Sequence, residues 1–432
     1  MSRALVVYLN DRRVGLLQEH NDLWAFEYDR EWASHPTSFD LSPALSRQQT
    51  AHADGATLRP VQWYFDNLLP EEGLREAISS EAKIRGDDAF ALLEYLGAES
   101  AGSLTLLPPG QPLPPQTGLQ ALPDAELSRR IARLPRSTLT AEAPKRMSIA
   151  GAQHKLPVVL QDGQLFEPIG ATPSTHILKP NHPSADYAAS AVNEFVTMRL
   201  ARAFGLKVPT VHLRYVPEAI YLVERFDRVV GPGGVQRRHI IDACQLLNKA
   251  RTFKYTGQSV TALNDIVSLT RHRIATRQAL FRWLLFNLAI GNDDCHLKNL
   301  SFLVSHEGID VAPHYDLLST CAYRTPLFAE RQNASWSQTA LPYPLAIARS
   351  FDQVTCEAVE WAADELRVGS FGRRQIHLLA QLPAMLQALA AEVHDIRDRH
   401  PDAALQAAGE SRLLRVIEHI VLRDMLTTLR VR

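Results

Sequence analysis

The residues best suited to chemistry are Gly291-Asn292-Asp293-Asp294-Cys295-His296-Leu297-Lys298-Asn299, with Asp316 of His314-Tyr315-Asp316 seventeen positions after Asn299. A carboxylate, an amide five positions on and a second carboxylate beyond a short hydrophobic strand supply one base and two metal ligands. That is the set required for phosphoryl transfer from a nucleotide. Of the two adjacent aspartates, only Asp294 has an asparagine five positions later; Asp293 meets Lys298 there. Asp294 is therefore the candidate base, and Asn299 and Asp316 the candidate Mg2+ ligands. Lys298 is placed to steady the moving phosphoryl group. Mg2+ takes hard oxygen ligands, few of them from protein, and shares the rest with substrate phosphates. The same residues also fit a turn or helix cap followed by a strand end, so the decision falls to the elements that would have to position them.

Those elements lie upstream, in a fixed order. Ser148-Ile149-Ala150-Gly151-Ala152-Gln153-His154-Lys155 is a run of small residues ahead of the strand-like Leu156 to Leu160, so its backbone amides could approach phosphates closely. It has neither the G-x-G-x-x-G spacing nor the G-K-[ST] ending. Thr175-His176-Ile177-Leu178-Lys179-Pro180 is an apolar strand ending in a lysine, a point charge for a nucleotide phosphate. Ala188 to Gly205 reads as a helix with Ala191, Phe195, Met198, Leu200, Ala201 and Phe204 on its apolar side and Gly205 as its stop. Glu194, in its first turns, is the natural partner of Lys179. Ala219 to Asp227 is a buried-type strand running into a polar segment, suited to a hinge whose backbone meets adenine. Thr276 to Ile290 is predicted as the helix that delivers the chain to the Asp294 loop, with Trp283 and Phe286 in the core.

This order of motifs resembles the HipA-like serine/threonine kinases, the toxin components of bacterial type II toxin-antitoxin modules. The similarity runs end to end. Asn10-Asp11-Arg12-Arg13-Val14-Gly15, Tyr64 to Pro70 and Gly97 to Leu104 look like that family's first subdomain. Ser148 to Lys155, Thr175 to Lys179, Asn193-Glu194, Glu224 to Arg228, Asp294 to Asn299 and Tyr315-Asp316 are similar to its kinase motifs.

The resemblance implies ATP and Mg2+ as cofactors. It makes the loop around Ala150, Gly151, Ala152, Gln153 and Lys155 a phosphate-binding loop, puts Lys179, aimed by Glu194, on ATP phosphates, and makes Glu224 and Phe226 the hinge. It further implies Asp294 as base, Asn299 and Asp316 as metal ligands, and Ser148 as a regulatory autophosphorylation site. A phosphate on Ser148 would add roughly two negative charges where ATP phosphates must sit. The implied target is an aminoacyl-tRNA synthetase, and the implied partner a small helix-turn-helix antitoxin resembling HipB that would carry operator DNA recognition. The chain departs from the family pattern at His154 and Ile241, where acidic residues are usual, and from Ser319 to Phe351 it does not align with it.

Composition agrees with a compact enzyme. The 432 residues are 46% hydrophobic and 22% charged, and the net charge of -1 gives no global pull toward nucleic acid, so DNA would be met mainly through the antitoxin. Cys244, Cys295, Cys321 and Cys356 form no Cys-x-x-Cys pair, which fits a reducing cytoplasm. Neither a signal peptide nor a run of about 18 apolar residues is apparent, so no membrane association is expected.

The expected fold class is α+β: a two-lobed protein-kinase-like fold with an added N-terminal β-rich subdomain and a mostly helical C-terminal lobe. The strands Leu5 to Leu9, Val14 to Leu17 and Leu23 to Tyr28, and helices around Trp63 to Leu68 and Asp88 to Tyr95, would belong to the subdomain of residues 1–115. It would end in the proline-rich Leu107 to Pro115. A small lobe would span 116–228 and the large lobe 229–432, with Gly231-Pro232-Gly233-Gly234 as a turn between them. Phe371 to Val393 and Ala403 to Leu429 are predicted as helices of the large lobe. Two alternatives remain open: a pseudokinase corepressor, favoured by His154 and the Ser319 to Phe351 segment but opposed by intact Asp294, Asn299 and Asp316, and a small-molecule phosphotransferase, which shares the Asp-x-x-x-x-Asn arrangement.

Overall fold

The computed structural model describes residues 2–97, 102–144, 153–231, 234–328 and 334–430. Ser148, Ala150, Gly151 and Ala152 lie outside the described residues. The chain forms two compact units, the first from 1–178, 224–254 and 301–312, the second from 179–223, 255–300 and 313–432.

The first unit is rich in strands. Its five-stranded antiparallel sheet has the order Ala51–Ala53, Leu23–Tyr28, Arg12–His20, Arg3–Leu9, Leu104–Leu107. Alternation is legible in Leu23–Tyr28, where Trp24, Phe26 and Tyr28 point into the core and Leu23 and Glu27 are exposed. The helices Pro60–Asp66 and Ala89–Leu96 cover that face, the second capped by Asp88, whose carboxylate accepts from Ala91 N at 3.0 Å. Trp24 meets Phe90 edge-on at 5.1 Å.

Further on, Gln116–Ala121, Gln164–Gly170, Leu156–Gln161 and His176–Pro180 pair in that order as antiparallel neighbours. The proline-rich stretch thus connects two strands inside this unit. The strand expected between Asn299 and Asp316 is a hairpin, Ser301–Ser305 with Gly308–Val311, which adds to His239–Asp242. Gly231 and Gly234 close another hairpin, Arg228–Gly231 with Gly234–Arg237, so they do not form a turn between lobes. Glycines where a chain reverses serve a hairpin as well as a linker, and nothing local separates the two.

The second unit is mostly helical. Ser190–Ala203 is buried on nearly every side, and Leu382–Asp398 packs along it, with Leu382, Leu386, Leu389 and Val393 buried. That spacing of three and four marks a core-facing stripe. Gly369–Asp398 is long and apolar enough to cross a membrane by length and composition alone, yet it bears this stripe and Arg373, Arg374, Glu392 and Asp395 besides. The predicted helix through Phe371 to Val393 is interrupted by a 3-10 turn at Leu379–Gln381, just ahead of Pro383, which lacks the amide that would continue the ladder. Ala403 to Leu429 is likewise segmented, with a π-helical turn at Ile417–Leu422 between Ala407–Val416 and Arg423–Thr428. Buried Glu410 ties this end together, accepting from Tyr215 Oη at 3.0 Å and from Arg397 at 3.0 Å.

Candidate active site

Lys179, Glu194, Asp294, Lys298, Asn299 and Asp316 all belong to the second unit. Lys179 sits near the end of strand His176–Pro180, where burial continues past Leu178 and leaves the lysine only 6% exposed. The helix Ser190–Ala203 starts from Ala189 in the left-handed region; Asn181 Oδ1 accepts from Ala191 N at 3.0 Å and Ser190 Oγ from His182 N at 2.7 Å. These bonds fix the first turn and aim Glu194 inward. Lys179 Nζ then donates to Glu194 Oε1 at 2.7 Å and to Asp316 Oδ1 at 2.5 Å. Burial alone would depress the lysine, but Asp316 and Glu194 outweigh it and hold its pKa above the usual range. The ammonium also lies 5.8 Å from the centre of the buried Tyr221 ring.

Asp316 has φ +58, a left-handed conformation that aspartate tolerates better than bulkier residues do. It is braced from both sides. Before it, Tyr315 Oη donates to the carbonyl of Lys298 at 2.9 Å. After it, Asn193 Oδ1 accepts from Ser319 N at 2.8 Å while Asn193 Nδ2 donates to Ser319 O at 3.0 Å.

The Asp294 loop follows the helix Arg273–Ala289, whose Trp283 and Phe286 are fully buried. Gly291 turns the chain at φ +62, and Asn292 Nδ2 bonds Asn287 Oδ1 at 2.7 Å. The two adjacent aspartates then diverge. Asp293 turns in: its amide donates to Thr320 Oγ1 at 2.8 Å and its carboxylate meets Arg324 at 2.6 Å. Asp294 turns out and is exposed, its Oδ1 accepting from Tyr255 Oη at 2.8 Å. Asn299 Nδ2 donates back to the carbonyl of Asp294 at 2.9 Å, so the amide spaced five positions on clasps the loop. Lys298 is 6% exposed and His296 8%.

Asn299 Nδ2 donates to the carbonyl of Asp294 and Asp316 Oδ1 accepts from Lys179, so the loop brings an amide oxygen and the segment after the hairpin a carboxylate. Both are hard oxygen donors of the kind Mg2+ prefers. Among the described residues no group of three or more His, Cys, Asp or Glu is gathered as a metal site. A cation here would complete its shell with water and phosphate oxygens, as Mg2+ habitually does.

Gln153, Lys155, Glu224 and Phe226 belong to the first unit. Gln153, Lys155 and Phe226 are half-buried and Glu224 is exposed. Between Glu224 and Phe226, Arg225 donates its amide to Thr175 O at 2.8 Å, and its guanidinium bonds Asp227 at 3.0 and 2.7 Å. Burial would raise Asp227, but Arg225 and Arg228 hold its carboxyl below the usual range.

Sequence reasoning missed Tyr255, Thr320, Arg324 and the grip of Asn193 on Ser319. Their partners lie at separations of 27 to 126 residues, beyond any local pattern.

Residues 5–107 match the HipA N-terminal domain and residues 147–387 the HipA-like C-terminal domain. The chain is 34% identical to the protein Y4mE of Sinorhizobium fredii, over 96% of this chain and 99% of that one. It is 33% identical to the serine/threonine-protein kinase toxin HipA of Shewanella oneidensis, over 74% of this chain and 76% of that one. Among solved structures it is similar, at TM-score 0.73 and 26% identity, to a chain in the complex of the Shewanella oneidensis MR-1 toxin-antitoxin system HipA, HipB and its operator DNA. The likeness covers 97% of this chain and 99% of that one, and the fold is the mixed α+β, two-lobed kinase-like one.

Proposed function

Because this chain belongs to the HipA-like family, we propose that it is an ATP-dependent protein serine/threonine kinase that requires Mg2+ and arrests growth as a toxin. The observation that carries the reading is Lys179 held between Glu194 and Asp316 in the same unit as a loop that exposes Asp294 and is clasped by Asn299. Such a set positions and neutralises phosphates more than it does covalent chemistry, which is what phosphoryl transfer asks of a protein.

In this reading an acceptor serine or threonine hydroxyl meets Asp294, which takes its proton as the oxygen attacks the γ-phosphorus; the bond to the β-phosphate oxygen breaks and ADP leaves. Lys179 offers the phosphates a charge already fixed by two carboxylates, and Lys298 stands one residue before Asn299 to steady the group in flight. Held by Asn299 and Asp316, Mg2+ would neutralise the charge developing on the phosphate oxygens. Gln153, Lys155, Glu224 and Phe226, with Ala150, Gly151 and Ala152, retain the nucleotide-binding roles that the family resemblance gives them. Autophosphorylation of Ser148 would silence the enzyme by putting negative charge in the phosphate loop. The acceptor protein in this reading is an aminoacyl-tRNA synthetase in the cytoplasm. Its partner is a helix-turn-helix antitoxin of the HipB kind, through which it meets operator DNA; the solved HipA, HipB and operator DNA complex supports that pairing.

The test is incubation of purified protein with Mg2+ and labelled ATP, beside Asp294→Asn, and phosphoproteomics after brief induction of both. Asp294-dependent phosphorylation of serine or threonine is the expected result. Equal labelling with and without Asp294 would overturn the reading.

A further inference from the structure

The hydroxyl of Tyr255 already occupies the atom that an acceptor hydroxyl must reach. It donates to Asp294 Oδ1 at 2.8 Å, while its ring stands edge-on to His296 with centroids 5.1 Å apart. Tyr255 is nevertheless 47% exposed, so it lies at the surface mouth of the site and is not part of its core. The segment behind it is strapped to the same loop: Gln258 Nε2 donates to Cys295 O at 3.0 Å, and Ser259 caps the helix Val260–Leu269 by accepting from Ala262 N at 2.9 Å. Tyr255 is the donor in this bond and Asp294 the acceptor, as an alcohol and a base would be. The bond therefore mimics the encounter of base and alcohol without consuming the base.

We propose that Tyr255 is a built-in stand-in for the acceptor: its hydroxyl fills the acceptor position on Asp294, and a serine or threonine side chain must displace it before phosphoryl transfer. This deepens the kinase reading and rests on it. The segment after the tyrosine is held by Gln258 and Ser259 while the residue itself is 47% exposed, so the displacement needs only a side-chain swing. Water is a poor competitor for a tethered phenol, whereas a docked protein segment brings many further contacts. Tyr255 would thus suppress idle hydrolysis of ATP and favour acceptors that bind by more than a hydroxyl.

The experiment compares wild type, Tyr255→Phe, Tyr255→Ala and Asp294→Asn in two assays with Mg2+ and ATP: release of ADP with water as acceptor, and labelling of a degenerate serine/threonine peptide pool. Tyr255→Phe keeps the ring on His296 and deletes only the competing hydroxyl. It should raise basal ADP release about tenfold, the worth of one hydrogen bond to a charged group, and lower the KM for peptides with the KM for ATP unmoved. Tyr255→Ala should show the same direction. A structural or base-orienting tyrosine would instead lower kcat in Tyr255→Phe, and that fall would overturn the proposal. So would wild-type turnover that Tyr255→Phe leaves unchanged, or an Asp294-dependent phosphate on Tyr255 itself. Wild-type turnover equal to that of Asp294→Asn would overturn the kinase reading and this inference together.

Discussion

Asn193 and Ser319 hold each other through two reciprocal hydrogen bonds, amide oxygen to backbone N–H at 2.8 Å and amide nitrogen to backbone carbonyl at 3.0 Å. Asn193 precedes Glu194 on a helix, and Ser319 follows Asp316 by three residues on an irregular segment. The pair therefore fixes the two carboxylates that converge on Lys179. An asparagine side chain is the right size to imitate a strand's edge, and it does so here inside a helix whose neighbours are all buried.

Asn193→Ala should leave the N–H and C=O of Ser319 without these partners, at a cost of about 1–3 kcal/mol. The measurable outcome is a lower denaturation midpoint together with weaker ATP binding by calorimetry. A variant equal to wild type in both would show that the segment after Asp316 is held by other contacts.

The adjacent aspartates should separate cleanly under mutation. Asp294 is exposed, so Asp294→Asn should keep wild-type stability within about 0.5 kcal/mol while phosphotransfer falls by about 10²–10⁴-fold. Arg324→Ala, which frees Asp293, should slow turnover by about tenfold without moving nucleotide affinity, since it loosens the loop and touches no phosphate. Steady-state kinetics paired with thermal melts distinguish the two, and identical profiles would undo the division of roles.

Lys179→Ala removes a cation shared by Glu194, which is 1% exposed, and Asp316. Losing one partner of a buried ion pair costs about 3–5 kcal/mol, because the remaining charge stays desolvated. Loss of ATP binding should therefore come with a large drop in stability, and the double variant Lys179→Met with Glu194→Gln should recover part of the stability but none of the binding. Full stability in Lys179→Ala alone would mean that other contacts of Glu194 and Asp316 hold them in place.

Acid should weaken the first unit through His239. Burial, opposed only in part by its hydrogen bond with Leu41, pushes this histidine down to about 4. Leu41 O can only accept, so Nε2 carries the proton and Nδ1 accepts from Ser103 Oγ at 2.8 Å. The unfolded histidine takes up a proton near 6.5, whereas the folded one does so only near 4; below 6.5 the unfolded chain binds more protons. The stability in question is fully present above 6.5 and is lost as pH falls toward 4, by about 3 kcal/mol at the end of that window. Denaturant melts of wild type should show this slope, and His239→Gln should flatten it even if less stable at pH 7. An unchanged slope would assign the acid sensitivity elsewhere.

Much of this was legible in the sequence because it is local. The periodicity of Ala188 to Gly205 foretold a helix with Glu194 in its early turns, observed as Ser190–Ala203, and the helix expected around Asp88 to Tyr95 is observed as Ala89–Leu96. Gly231 and Gly234 announced a turn, but not whether it joins lobes or two strands of a hairpin. Pro383 stood in view, yet the helical pattern of Phe371 to Val393 is strong enough to hide the break before it. The pairing of Tyr255 with Asp294 spans 39 residues, and that of Arg324 with Asp293 starts in the segment that does not align with the family. Such contacts are decided by packing, and no spacing rule foreshadows them.

Gly291, which opens the Asp294 loop, has room for no side chain: a Cβ there would lie 2.7 Å from Val421 Cγ1 and 3.1 Å from Cys321 Cβ. Val421 belongs to the π-helical turn near the far end of the sequence. During synthesis the loop therefore emerges from the ribosome some 130 residues before the surface that backs it. A nascent chain that has not reached Val421 would carry the six residues of the candidate site in the second unit yet lack the side chain that backs Gly291, so this loop takes its final shape only after the π-helical turn is made.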